Sequence, residues 1–413
     1  MNKHRKTVIF ATVLSGVLLA GLLLVFWLSG SGRPDFPGAK VTPSQAVTPT
    51  SADLLASNAT PTQGTSPTMT AVPAVTGTPM NKWQDPAIHI LSVGEGSSAL
   101  VCCYDTAILI DGGDAPTSAY VVSYLQKLGI KHLSMVIATH YDSDHISGLV
   151  GVLSVLSVDA IYGPSGDVST KTYESFCNMA EVKNIPRHVP VIGEIYRTPN
   201  DITVEFLSAE NVEVSDSTVD QGRDASLAMV ITIRGRKILI MGDAGAAKER
   251  RLVRDGRISD VDIFLVNHHG SRYSNTGELL MAARPEFAVI SCGANDYGHP
   301  AYESIARLTE CGAKIFRTDV QGTVVLSFEN NEIRPNVPAL EDPYADPDEE
   351  DVVARTDTPE DVTFILNGNS KVYHLPDCDS VSGEMHRNWF YFYGTAEEAE
   401  ALGYRPCGRC LRK

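Results

Sequence analysis

The chain has 413 residues, enough for two or three domains. Its 34 Lys and Arg stand against 50 Asp and Glu, a formal charge of −16. Such a balance excludes a general electrostatic attraction to nucleic acid, so any DNA contact would need local basic patches or metal ions.

In chain order, Lys3, Arg5 and Lys6 precede Thr7–Leu28, an apolar run without a charge. The run is long enough to cross a bilayer, and its basic flank predicts a cytoplasmic N-terminus. Residues 1–30 are therefore predicted to be a cytoplasmic stub and transmembrane anchor. A cleaved signal peptide is the rival reading, and both export the rest of the chain. Residues 31–86 are rich in Thr, Pro, Ser, Ala and Gly without apolar periodicity, and read as a disordered stalk.

From Ala87 the texture changes. Ala87–Val93, Ala99–Cys103 and Ala107–Ile110 read as strands of a meander that leads into Asp111-Gly112-Gly113 and a helix over Ser118–Leu128. The apolar run Leu133–Ala138 predicts a buried strand, and Ile146–Val155 has helical spacing. Between them, His140, Asp142, Asp144 and His145 fall within six positions on a strand-to-helix turn. A backbone turn can aim such side chains at one point, and the helix N-terminus adds positive potential. Imidazole nitrogens with carboxylate oxygens suit zinc, manganese or iron.

Further along, Val158–Tyr162 and Ile202–Leu207 read as strands and Lys171–Val182 as a helix. Ser226–Ile233 and Ile238–Met241 form a predicted hairpin that ends in Gly242-Asp243-Ala244. The strand Asp262–Asn267 runs into His268-His269-Gly270-Ser271, and Ala288–Ser291 precedes a loop ending in Tyr297-Gly298-His299-Pro300. A helix over Tyr302–Glu310 and strands over Lys314–Arg317 and Thr323–Phe328 close the domain. Taken singly, several of these residues have plainer readings: Asp111 as a turn residue, Asp243 as a helix cap, His299 in a surface loop.

The His-x-Asp-x-Asp-His pattern resembles the signature of the metallo-β-lactamase superfamily. More narrowly, it is similar to the variant in ComEC-type competence proteins, where Asp replaces the commoner second His. His-His-Gly-Ser and Tyr-Gly-His-Pro follow in family order, and the resemblance spans roughly residues 87–333. It implies an α/β fold, the αββα sandwich, over residues 87–334, and a dinuclear metallohydrolase. It implies that His140, Asp142 and one of His268 and His269 hold the first divalent ion, with the other His of the pair touching substrate. Asp144, His145 and His299 would hold the second ion, with Asp243 between the two. Asp144, His269 and His299 would act in the chemistry, His299 as ligand or proton donor, and Asp111 and Ser271 would support the ligands from behind. Asp142 in place of a neutral His shifts preference from zinc alone towards manganese or mixed occupancy. Asp224 departs from the family, which has Asn there.

The implied activity is phosphodiester cleavage, with DNA or nucleotides outside the cell as first substrate. A cell-wall phosphorylcholine or teichoic-acid phosphodiesterase is the second reading, and a non-catalytic DNA-binding or wall-associated protein the third.

Residues 335–360 form an acidic linker, and residues 361–413 a small module. There His374-x3-Cys378 and Cys407-x2-Cys410 supply one imidazole and three thiolates, a closed tetrahedral set for one structural zinc. Two disulfides are the rival, but three cysteines leave one over. The module resembles the Ada-type metal-binding domain, with His374 where that domain has Cys, and serves DNA contact or structural capping. Cys292 and Cys311 are a candidate disulfide pair in an exported protein. His89, His132, His188 and His386 read as having no role in chemistry.

Overall fold

The structure, a computed structural model, describes residues 86–166, 168–209, 225–330, 332–347, 362–368, 370–378, 380–381 and 389–411. The expected anchor and stalk, Asp224, His386 and the centre of the acidic linker lie outside these residues. Among the described residues no helix is long and apolar enough to cross a membrane.

Two large sheets dominate the described strands. The first has eight strands in the order Glu332–Pro335, Val324–Glu329, Ala87–Ile90, Ala99–Cys103, Thr106–Ile110, Met135–Ile137, Ile161–Tyr162, Arg187–His188. The second has seven, in the order Lys314–Arg317, Phe287–Ile290, Ile263–Leu265, Arg236–Ile240, Met229–Ile233, Ile202–Phe206, Ile195–Arg197.

Residue alternation explains why the sheets stack. Ile88, Ile90, Val101, Ile108 and Ile110 of the first sheet meet Met229, Ile231, Ile238 and Ile240 of the second in one inner core. The intervening residues Leu100, Leu109 and Val136 face outward, against the helices Ser118–Lys127, Ser143–Val155 and Lys171–Val182. Leu239, Phe264 and Ala288 of the second sheet do the same beneath Ala246–Arg254, Gly277–Ala283 and Tyr302–Glu310. Strands buried on both faces carry apolar residues at nearly every position, which is why their sequences read as continuous apolar runs. The layers are helix, sheet, sheet, helix, the αββα sandwich.

Each sheet has a parallel part. Thr106–Ile110, Met135–Ile137 and Ile161–Tyr162 run parallel in the first, and Arg236–Ile240, Ile263–Leu265, Phe287–Ile290 and Lys314–Arg317 in the second. Their carboxyl ends deliver Asp111, His140, Asp243, His268 and Ser291 to loops at one end of the sandwich, the usual place for ligands in such sheets.

Some details differ from the sequence reading. The helix expected from Ile146 begins at Ser143, with Asp142 as its N-cap residue, so Asp144 and His145 form its first turn. Apolar periodicity marks only the buried stripe and is blind to a first turn made of polar residues. The start of the acidic segment lies against the sheets: Asn336 N donates to Val325 O, Leu340 N to Ile315 O, and the Arg317 guanidinium to Pro343 O and Ala345 O. Cys292 and Cys311 are free thiols. They face different partners, Cys292 Sγ donating to Asp319 Oδ1 at 3.1 Å and Cys311 Sγ to Leu308 O at 3.1 Å.

The C-terminal module contributes a four-stranded sheet, Trp389–Phe392, Phe364–Asn367, Val372–His374, Arg405–Pro406. Its Phe364, Leu366, Tyr373, Phe392 and Tyr404 share one apolar core with Val122, Leu125, Leu149 and Val152 of the helices Ser118–Lys127 and Ser143–Val155.

Candidate metal centre

The carboxyl ends of the strands bring four imidazoles around one buried carboxylate, Asp243, which is 5% exposed. Its Oδ2 lies 3.8 Å from His140 Nε2 and 3.6 Å from His268 Nε2. Its Oδ1 lies 3.3 Å from His145 Nε2 and 3.6 Å from His269 Nε2. Asp142 Oδ2 stands 3.6 Å from His140 Nε2, on the first side. Asp144 Oδ2 stands 3.5 Å from His145 Nε2 and 3.3 Å from His269 Nε2, on the second. Ligand atoms of Asp144, His145, Asp243 and His269 all lie within 4.8 Å of one another.

These separations decide what the cluster is for. An N–H···O hydrogen bond runs at about 2.7–3.2 Å, shorter than any of them. Ligand atoms about 2.0–2.1 Å from a tetrahedral zinc sit roughly 3.3 Å apart, close to the spacings here. Nε2 of His140, His145 and His269 and Oδ1 of Asp243 are buried without a hydrogen-bond partner. Stranding so many buried polar atoms is unfavourable unless a ligand satisfies them. Nitrogen and carboxylate donors in this arrangement fit divalent zinc or manganese.

A surrounding layer sets which ring nitrogen faces inward. Asp111 accepts from Thr139 N at 2.8 Å, from Thr139 Oγ1 at 2.7 Å and from His145 Nδ1 at 2.8 Å. Thr139 Oγ1 is 3.1 Å from His140 Nδ1, and His269 Nδ1 donates to Ser291 O at 2.9 Å. The outward Nδ1 atoms carry the protons, so the inward Nε2 atoms keep lone pairs for a cation. Burial raises the Asp243 and Asp144 carboxyls, yet the neighbouring imidazoles hold both well below the ordinary carboxylate range. Burial lowers His145 and His269, but Asp243 and its fellow carboxylates push both above the ordinary histidine value.

His268 and His269 both adopt left-handed backbone, φ 51° and 52°. Non-glycine residues in that region cost on the order of 1–3 kcal/mol and persist where surrounding contacts enforce them. Here His268 N donates to Gly242 O, and Asn267 and Asn275 exchange hydrogen bonds across the loop. The buried Glu249 accepts from Asn267 Nδ2, Asn275 N and Thr276 N at 2.6–2.8 Å. Lys248 Nζ, also buried, donates to Ser226 O, and Ser226 Oγ accepts from Asp243 N.

Of the residues expected at the site, both His268 and His269 face Asp243. His269 stands in the quartet where His299 was expected. His299 lies beside the donors, its ring 5.3 Å from that of His268, because Glu95 Oε1 holds its Nδ1 at 2.7 Å. Ser271 is buried and its Oγ accepts from Tyr273 N. Glu95, Thr139, Lys248 and Glu249 were not singled out in the sequence. Glu95 meets His299 across 204 positions, and the Lys-Glu pair sits in the charge-rich stretch Ala246–Arg254, which reads as a solvated helix.

In the module, His374, Cys378, Cys407 and Cys410 bring one ligand atom each within 4.8 Å of the others. His374 Nδ1 is 3.5 Å from Cys378 Sγ, and Leu375 N and Arg409 N point at the sulfurs of Cys410 and Cys407. Three thiols and one imidazole at this spacing fit tetrahedral zinc.

Two segments of the chain match known families. Residues 91–294 match the sequence profile of the metallo-beta-lactamase superfamily, and residues 349–412 that of the metal binding domain of Ada. The chain is 28% identical over 243 residues to Competence protein ComA of Neisseria gonorrhoeae, covering 58% of this chain and 32% of that protein. It is 26% identical over 211 residues to ComE operon protein 3 of Bacillus subtilis, covering 51% of this chain and 26% of that protein. The chain thus spans about a third or less of the curated relatives' length. Among solved structures, the metallo-beta-lactamase fold protein YhfI from Bacillus subtilis aligns at TM-score 0.41 and 16% identity, over 59% of this chain and all of that one. Residues 91–294 thus form a domain of the metallo-β-lactamase superfamily and residues 349–412 an Ada-type metal-binding domain, in a chain similar to competence proteins.

Proposed function

We propose that this metallo-hydrolase is dinuclear and cleaves phosphodiester bonds, with DNA or nucleotides as substrate, tethered outside the cell by Thr7–Leu28. The observation that carries the reading is the Asp243 carboxylate, whose two oxygens face separate donor sets. His140, Asp142 and His268 would hold one ion, and Asp144, His145 and His269 the other. Such ions supply Lewis acidity, making water acidic enough to attack at neutral pH and neutralising charge on phosphoryl oxygens.

The chain's own residues do the remaining work. Asp111, Thr139 and the Ser291 carbonyl orient the imidazoles before substrate arrives. The Asp142 side chain is 62% exposed and that of Asp144 32%, so the donor sets open to solvent on that side and substrate enters there. Glu95 Oε1 accepts from His299 Nδ1 and so fixes the ring; with both ring nitrogens protonated, His299 would present Nε2–H to the departing oxygen. The likeness to a protein named for competence supports placing DNA first among phosphodiesters.

The test is cleavage of a single-stranded oligonucleotide and of a phosphorylcholine ester by the full-length chain, stripped and then reloaded with Mn²⁺ or Zn²⁺. Oligonucleotide cleavage well above an Asp243→Ala control is expected. Hydrolysis of the phosphorylcholine ester alone would move the assignment to cell-wall polymer, and no hydrolysis of either would overturn it.

A further inference from the structure

We infer that exposed tyrosines beside the donor sets form a stacking platform for the bases of single-stranded nucleic acid, an inference that rests on the phosphodiesterase reading and narrows it. Tyr297 is 77% exposed, and its ring lies over His299 at 5.8 Å and 28°. His299 in turn meets the His268 ring at 5.3 Å. Tyr302, 70% exposed, opens the helix that follows this loop, its ring tilted by 31° against that of Tyr344 at 4.9 Å. Tyr273, 69% exposed, lies four residues beyond His269. Arg272 Nη1 lies 3.9 Å from Glu303 Oε1, so the two tyrosine-bearing segments are neighbours.

Ring faces left in water are unfavourable unless something covers them. Tyr297 and Tyr302 each rest against one ring of the chain and still remain 77% and 70% exposed. The Tyr297 loop is also held in advance. Asn295 Oδ1 accepts from Tyr297 N and His299 N at 3.0 Å each, and Asn295 Nδ2 donates to Gly293 O and His299 O. A ring presented on a fixed loop binds without a further ordering penalty.

The formal charge of −16 gives no general attraction for a polyanion. Affinity is then left to ions at the scissile phosphate, local cations such as Arg272, and the faces of the bases. Unpaired bases offer such faces irrespective of sequence, whereas duplex bases are already stacked on each other.

The experiment measures kcat/KM of the Mn²⁺-loaded full-length chain for a single-stranded oligonucleotide and for an abasic one of equal length. Wild type is expected to prefer the intact strand, Tyr297→Ala to reduce that preference about tenfold, and Tyr297→Phe to keep it. No preference in wild type overturns the platform. So does an equal loss on both substrates in Tyr297→Ala, which would make Tyr297 a support for His299. Cleavage of neither strand by wild type fells the nucleic-acid reading of the site, and the platform with it.

Discussion

Asp111 illustrates how a single buried carboxylate sets the chemistry of its neighbours. Both oxygens are occupied by protons from Thr139 and His145, which leaves the carboxylate no freedom to serve as a ligand. Asp111→Asn would offer an N–H to His145 Nδ1 and turn the imidazole to the wrong tautomer. A loss of about 10–100-fold in metal affinity or activity is expected, read by metal titration; unchanged affinity in a folded variant would remove the role. Asp142 puts a hard oxygen where the commoner family pattern has a nitrogen, so Mn²⁺ should restore activity to the stripped enzyme at least as well as Zn²⁺. Full rescue by Zn²⁺ alone would contradict that. His89 shows the opposite use of a histidine. Burial lowers it to about 4 while it bonds Tyr124 and Cys102. Its folded value lies below the unfolded one, so the unfolded chain takes up the proton first. Stability is therefore complete above about pH 6.5 and falls on the way to pH 4, by an amount on the order of 3 kcal/mol. Urea midpoints measured across that window in wild type and His89→Gln check it, since the variant should lose most of the slope.

At the level of elements, helix and loop termini carry the ligands because they can be pinned by backbone contacts. Helix Ser143–Val155 is drawn against the Gly112-Gly113 turn, with Gly112 N donating to His145 O and Gly148 N to Gly113 O. A Cβ at Gly148 would run into the Gly112 carbonyl. Gly148→Ala should therefore shift Asp144 and His145 and destabilise by about 1–3 kcal/mol, seen in denaturant unfolding. On the opposite sheet, Glu249 is the device that keeps His268 and His269 left-handed. Glu249→Ala strands three buried donors and is expected to remove about 3 kcal/mol or more of stability. It should also weaken metal binding in the protein that remains folded. A change under about 0.5 kcal/mol, with metal affinity intact, would show that the loop holds itself.

For the molecule as a whole, the tail is part of the hydrolase's packing. Its apolar residues complete the outer core over the helices Ser118–Lys127 and Ser143–Val155, and Gln126 Nε2 donates to Glu398 Oε2 at 3.0 Å. The second of those helices begins at the candidate ligands Asp144 and His145 and meets the module near its other end. A segment this small depends on its metal to fold. Cys407→Ser should thus lower the calorimetric midpoint of the hydrolase by several degrees, about 2–4 °C per kcal/mol lost. An unchanged midpoint would mean that the module docks without supporting its neighbour.

The ligand types were legible in the sequence because a metal site needs particular chemical groups, and His140, Asp142, Asp144 and His145 stand too close together to hide. The sandwich was legible in outline too, since strands buried on both faces must be apolar throughout. Local patterning could not say which histidine joins which ligand set, because that depends on where separate strands end in space. It could not find Glu95 or Glu249, whose partners arrive from other elements. Nor could it show that the tail completes another domain's core, for burial belongs to surfaces that meet only when the chain has folded.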